Sequence, residues 1–169
     1  MPFITPEQAG GQNVCAFLDT IAFAEGTGIL GRQQGYDVIV TGIDRQPEFF
    51  TDFSDHPFAG GRKSKTINSK GLTSNASGRY QQMLKDWPHY KKQLRLPDFG
   101  KLSQDLLAIQ HIRECRALPD LQAGRVREAI SKCRNIWASF PGAGYGQREH
   151  AIDNLVQAYR AAGGVVSNG

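Results

Sequence analysis

Asn13-Val14-Cys15-Ala16-Phe17-Leu18-Asp19-Thr20-Ile21-Ala22-Phe23-Ala24-Glu25-Gly26 is the stretch on which the reading of this chain turns. Apolar residues at Val14, Phe17, Leu18, Ile21 and Ala22 follow the spacing of one helix face. Asn13 stands where an N-cap belongs, and Gly26 and Gly28 stop the helix. The run Val14 to Ala24 is too short to span a bilayer and lacks the basic flank and cleavage site of a secretion signal. Glu25 closes the helix on the same face as Leu18, Ile21 and Ala22. Desolvation and the negative end of the helix dipole both disfavour a charged carboxylate there. Both raise its pKa, and a carboxyl that keeps its proton near neutral pH is a general acid. The competing reading is a helix that ends one residue early and leaves Glu25 in solvent.

On the N-terminal side, residues 1–13 are poor in core formers, and Thr5-Pro6-Glu7 opens a short helical turn. On the C-terminal side the texture turns β-like. Tyr36 to Thr41 and Glu48 to Phe53 read as two short strands joined as a hairpin, within a β lobe of about residues 35–74. His56 to Ser77, rich in Gly, Ser, Asn and Lys, reads as an exposed, mobile excursion. After Gly78 the pattern predicts helices around Arg79–Leu94, Ser103–Ala117, Arg125–Cys133 and Gln147–Ala162, with a short turn near Asn135–Ser139. Pro97, Pro119 and Pro141 punctuate them. The expected layout is α+β, a mainly helical body with a small β-hairpin lobe and a cleft between them.

At 169 residues and 40% apolar content the chain suits one domain with a core that needs no disulfides. Cys15, Cys115 and Cys133 are odd in number and widely spaced, against a disulfide framework or a cysteine zinc site, and in keeping with a reducing cytosol at synthesis. The net charge of +4 conceals an uneven distribution. Between Gly60 and Arg95, nine basic residues (Arg62, Lys63, Lys65, Lys70, Arg79, Lys85, Lys91, Lys92 and Arg95) face the single acid Asp86. Such a segment suits either a polyanionic partner (nucleic acid, anionic membrane or acidic wall polymer) or a solubilising face.

Other constellations carry less. Gly142-Ala143-Gly144-Tyr145-Gly146 precedes no Lys-Ser/Thr and is no phosphate loop; it reads as a lip or an ordinary interhelix loop. His56, His89, His111 and His150 lack metal-ligand spacing, so no metal is expected. Trp87 and Trp137 read as core. No serine lies near a convincing His and Asp pair.

Five strings occur in order: Glu25-Gly26-Thr27; Gly35-Tyr36-Asp37-Val38-Ile39-Val40; Phe50-Thr51-Asp52-Phe53-Ser54-Asp55-His56-Pro57; Gly78-Arg79-Tyr80-Gln81; and Asn135-Ile136-Trp137-Ala138-Ser139-Phe140-Pro141 running on to Gln147. Together, from about Val14 to Gly164, they closely resemble the bacteriophage lambda endolysin family, peptidoglycan lytic transglycosylases with a lysozyme-like fold. The resemblance implies that Glu25 is the catalytic acid. Gly78 to Gln81 is similar to the G-x-x-Q segment of lytic transglycosylases, which implies that Gln81 faces the glycan. Ala143 to Gly146 is similar to their downstream tyrosine segment and implies the same for Tyr145. Substrate contacts are further implied at Tyr36, Asp37, Asp55, Tyr80 and Gln147. The connection Ile43–Pro47 and the excursion after Pro57 look longer than in the lambda protein.

The resemblance also implies a cofactor-free monomer acting on peptidoglycan glycan strands, with no nucleic acid and no stable membrane insertion. It would wait in the host cytoplasm until a holin opens the way to the periplasm and cell wall. The implied reaction cleaves the β-1,4 bond between N-acetylmuramic acid and N-acetylglucosamine and leaves 1,6-anhydromuramoyl ends. Glu25 would protonate the glycosidic oxygen and then take the proton of the muramoyl C6 hydroxyl as it closes onto C1. Spacing alone leaves two alternatives open. A hydrolytic muramidase would pair Glu25 with a hairpin carboxylate, Asp37, Asp52 or Asp55. A non-enzymatic polyanion-binding module would need only the basic 60–95 segment.

Overall fold

The computed structural model describes residues 1–31, 33–144 and 149–167. They form two compact units, one of residues 1–26 and 105–169, the other of residues 27–104. Among the described residues the helices are α1 (Pro6–Ala9), α2 (Gln12–Ala24), α3 (Trp87–Gln93), α4 (Lys101–Glu114), α5 (Leu118–Gln122), α6 (Val126–Cys133) and α7 (Ile152–Ala161). The strands, each two residues long, are β1 (Val38–Ile39), β2 (Glu48–Phe49), β3 (Lys65–Thr66) and β4 (Thr73–Ser74).

In the first unit, α2 packs against α1, α5 and α7. Val14, Ala16, Phe17, Leu18, Ile21 and Ala22 are wholly buried, so the helix is enclosed on nearly every side. Phe17 meets Phe140 edge-on at 5.9 Å, and Phe140 meets Trp137 at 5.7 Å. The helix begins earlier than the sequence predicts. Gly10 and Gly11, at φ 96° and 127°, end α1 and turn the chain straight into α2. Asn13 is therefore not the cap but a first-turn residue. Its amide nitrogen donates to Leu121 O (2.9 Å) and its Oδ1 accepts from Val165 N (2.8 Å), fastening distant segments instead. The N-terminal stretch is tied down more firmly than its composition suggests. Thr5 and Gln8 form a reciprocal capping box on α1. Asp105 Oδ2 accepts the backbone N–H groups of Phe3 and Ile4, both at 2.8 Å. Downstream, α5 forms where only a Pro119 break was expected, because proline is tolerated in the first turn of a helix.

The second unit contains the expected hairpin, β1 antiparallel to β2 with Val38 opposite Phe49 and Ile39 opposite Glu48. It is shorter than predicted, and the unit runs on to residue 104, well past the predicted lobe. The 56–77 segment is not a bare excursion, since β3 and β4 pair within it. Asn68 makes this possible. Its Oδ1 accepts the N–H groups of Lys70 and Leu72, both at 3.0 Å, and Gly71 takes φ 78°. Phe58 and His56 anchor the start of the segment and are buried. The helix predicted from Arg79 begins only at Trp87. Residues 79–86 form a tight turn, with Ser77 and Gln82 exchanging backbone hydrogen bonds at 3.0 and 2.8 Å and Gln81 at φ 50°. Gln, Met, Leu and Lys favour a helix there, and the tertiary bonds of the turn override that preference.

Candidate active site

Glu25 is the C-cap of α2, with its N–H bonded to Ile21 O at 2.9 Å. Gly26 follows at φ 70°, where a side chain would be strained, and turns the chain away after one residue. Glu25 itself is half-buried. Burial among protein atoms pushes its carboxyl above the ordinary carboxylate range, while hydrogen bonds from Ser139 partly oppose the shift. The Ser139 hydroxyl donates to Glu25 Oε1 at 2.6 Å. The result is a carboxyl biased toward its protonated form and held in one orientation.

Ser139 is buried at 7% exposure, between Trp137 and Phe140 of the helical unit's core. Its carbonyl accepts the N–H of His150 at 2.9 Å, and His150 Nε2 lies 3.2 Å from Ala24 O. That geometry makes Nε2 the donor, since a carbonyl can only accept. His150 thus braces both the end of α2 and the Ser139 mount. Beside it, Glu149 accepts from Gly142 N at 2.8 Å and Gly144 N at 2.9 Å, which organises the glycine-rich loop. Neither Ser139 nor His150 was singled out as a site residue from sequence. They lie 114 and 125 positions from Glu25, and no local periodicity could have reported them.

Ser139→Ala gives a signed test of this support. Removing a hydrogen bond that favours the charged carboxylate raises the Glu25 pKa further. The descending alkaline limb of the rate profile should then move to higher pH, with the protein still folded and its rate lowered up to about tenfold, the worth of a ~1 kcal/mol hydrogen bond. A limb that stays in place or moves to lower pH would exclude the role.

The remaining predicted site residues fall in the second unit or outside the described residues. Tyr36 and Tyr80 are each 1% exposed and meet edge-on at 6.2 Å. Arg79 lies over the Tyr36 ring at 5.4 Å, and its guanidinium bonds to Gln34 O. Gln81 is half-buried and its amide folds back onto Gly78 O at 3.0 Å. Tyr145 and Gln147 lie outside the described residues.

The three hairpin carboxylates differ. Asp37 is 6% exposed, and among the described residues its Oδ1 has no hydrogen-bond partner. Asp52 is exposed and accepts from Ser54 N at 2.8 Å, with Ser54 holding its pKa low. Asp55 is exposed; what burial it has pushes its pKa up, but Trp87, His56 and Lys91 outweigh this and leave it low. It takes the Trp87 indole N–H and lies 3.2 Å from Lys91 Nζ. Asp52, Asp55, His56 and Arg62 also line a cavity of about 650 Å³ within this unit. His56 is buried, with Nε2 on Gln82 O (3.1 Å) and Nδ1 accepting from Phe58 N (3.3 Å), so both ring nitrogens are occupied. Of the nine basic residues in 60–95, Arg62 and Lys65 pair with Glu48, Lys91 pairs with Asp55, and Arg79 is buried. The free basic face is accordingly smaller than the sequence count.

A family profile described as Endolysin matches residues 15–166. The endolysin of Escherichia phage P2 is 64% identical over 156 residues, 91% of this chain and 94% of that protein. The endolysin of Escherichia phage lambda is 52% identical over 155 residues, covering 89% and 91% respectively. Among solved structures, bacteriophage lambda lysozyme complexed with a chitohexasaccharide matches with TM-score 0.84 and 48% identity, over 99% of this chain and 100% of that one. A second structure, lysozyme from bacteriophage lambda, matches with TM-score 0.79 and 47% identity over the same shares. The α+β architecture is lysozyme-like, as the sequence resemblance implied.

Proposed function

The chain belongs to the endolysin family, enzymes that lyse peptidoglycan, and from that premise we propose that it is a lytic transglycosylase with Glu25 as both acid and base. The observation that carries this reading is the Glu25 carboxyl, held toward its neutral form by burial and oriented by Ser139. Protonated Glu25 gives its proton to the glycosidic oxygen between N-acetylmuramic acid and N-acetylglucosamine as the C1–O bond breaks. The muramoyl C6 hydroxyl then closes onto C1, and its proton passes to the Glu25 carboxylate. The acid is regenerated and no water is consumed. Intramolecular attack gives the nucleophile an effective concentration far above that of a free alcohol. Support also comes from Asp52 and Asp55, whose charge is stabilised by structural hydrogen bonds and which are correspondingly weak bases. Asp37, Asp55, Gln81, Tyr145 and Gln147 complete the proposed glycan-binding set, in which Tyr36 and Tyr80, each 1% exposed, serve as packing supports and not as surface contacts. The lambda lysozyme complex with a chitohexasaccharide supports a glycan ligand for this chain as well. We further place the enzyme in the host cytoplasm as a monomer until a holin releases it to the wall.

Hydrolysis is the second reading. Asp37 favours it, as a buried carboxylate oxygen without a hydrogen-bond partner among the described residues could hold a water. The product decides between them. Muropeptides released from purified peptidoglycan should end in 1,6-anhydromuramic acid, resist borohydride reduction and carry no label from heavy-oxygen water. A reducible, labelled C1 would make the enzyme a muramidase.

A further inference from the structure

Two of the three cysteines meet in the fold. Cys115 follows α4, Cys133 ends α6, and their side chains are neighbours. Neighbouring contacts fix the same approach. Lys132 Nζ donates to Arg116 O at 3.2 Å, and Cys115 Sγ lies 3.7 Å from Asn135 Oδ1, just beyond Cys133. Cys115 is half-buried and reachable, whereas Cys133 is fully buried behind it. Cys15 is different: its thiol faces Ile4 O at 3.8 Å, and burial pushes its pKa up to about 11.

We propose that Cys115 and Cys133 are a modification site that closes to a disulfide when the chain meets a disulfide-bearing thiol pool, Cys115 attacking and Cys133 resolving. The Cys115 thiolate attacks one sulfur of a disulfide RSSR, that S–S bond breaks, and one RSH leaves. Cys133 then gives its proton to solvent and attacks Cys115 Sγ, releasing the second RSH. Two protein thiols are oxidised and one RSSR is reduced. Exposure sets the order of attack. Cys115 is the thiol that an external disulfide can reach, while Cys133 is wholly buried and meets only the sulfur held beside it. The bond closes a loop containing α5 and α6 immediately before Ser139. If the chain travels from cytosol to periplasm, as the proposed function has it, the bond forms on arrival and firms the Ser139 mount there.

The test needs no lytic activity, so it stands or falls apart from the functional reading. Purified full-length protein is incubated with glutathione disulfide, then alkylated, mapped by mass spectrometry and melted. The expected result is loss of two hydrogens, a Cys115–Cys133 linked peptide, Cys15 still alkylated, and a Tm higher by roughly 5–10 °C that reductant reverses. Cys133→Ser should instead accumulate a glutathione adduct on Cys115, and Cys115→Ser should gain neither. Wild type with all three cysteines alkylated, or with a lasting glutathione adduct and no linked peptide, would overturn the proposal.

Discussion

Glu25→Gln is expected to fold as the wild type does and to lose wall-lysis activity by about 10²–10⁴-fold, the usual worth of a positioned general acid. The amide keeps the shape and an acceptor for the Ser139 hydroxyl, which reaches Glu25 Oε1 at 2.6 Å. It has no acidic proton to deliver. Asp37→Asn, Asp52→Asn and Asp55→Asn should each cost less, because the proposed reaction gives none of them the role of the acid. Turbidity clearing near the wild-type rate by a folded Glu25→Gln would remove the residue from the mechanism. An Asp37→Asn loss of equal size would favour hydrolysis.

The same substitution should raise stability at neutral pH. Burial sets the folded pKa of Glu25 above its unfolded value, which is about 4.3. Between those two values the folded state holds a proton that the unfolded state has lost. Wild-type stability is thus fully present below about pH 4 and declines as pH rises through the folded pKa. Gln carries no such proton. Its Tm should exceed that of wild type at pH 7 and converge with it near pH 4, a trade of stability for activity common at catalytic sites. Thermal melts at the two pH values check the sign, and a variant less stable at pH 7 would contradict it.

Glu25 was legible in the sequence because its signal is local, a carboxylate in helical register with Leu18 and Ile21 at the end of a run that glycine stops. Its partner was not. Ser139 approaches through the packing of Phe140 on Phe17, information spread over the whole helical unit. The β1–β2 hairpin was legible from its β-branched and aromatic residues. The β3–β4 hairpin was hidden, because its turn rests on one Asn68 side chain in a stretch with the composition of a loop. Residues 79–86 were misread as helix for the opposite reason. Local propensity spoke clearly, and buried tertiary bonds to Gln104 decided otherwise.

Those bonds make Gln104 a junction between segments of the second unit. Its side chain is completely buried, with Oε1 accepting Arg79 N at 2.9 Å and Nε2 donating to Tyr36 O at 3.0 Å and Phe99 O at 2.8 Å. Gln104→Leu keeps the volume and removes all three hydrogen bonds. At about 1–3 kcal/mol for each of the three, the loss is roughly 3–9 kcal/mol. That is a large share of a typical total of about 5–15 kcal/mol. Gly78 exists to admit this side chain: it sits at φ 76°, and a Cβ there would stand 2.1 Å from Gln104 Oε1. Gly78→Ala should therefore destabilise the protein by more than the ~1–2 kcal/mol of left-handed backbone strain. In a Gln104→Ala background the clash disappears and only the strain remains. Urea midpoints for the two single variants and the double variant measure the difference as a coupling energy. A Gly78→Ala penalty that is the same in both backgrounds would mean that the glycine serves the turn alone and not the buried amide.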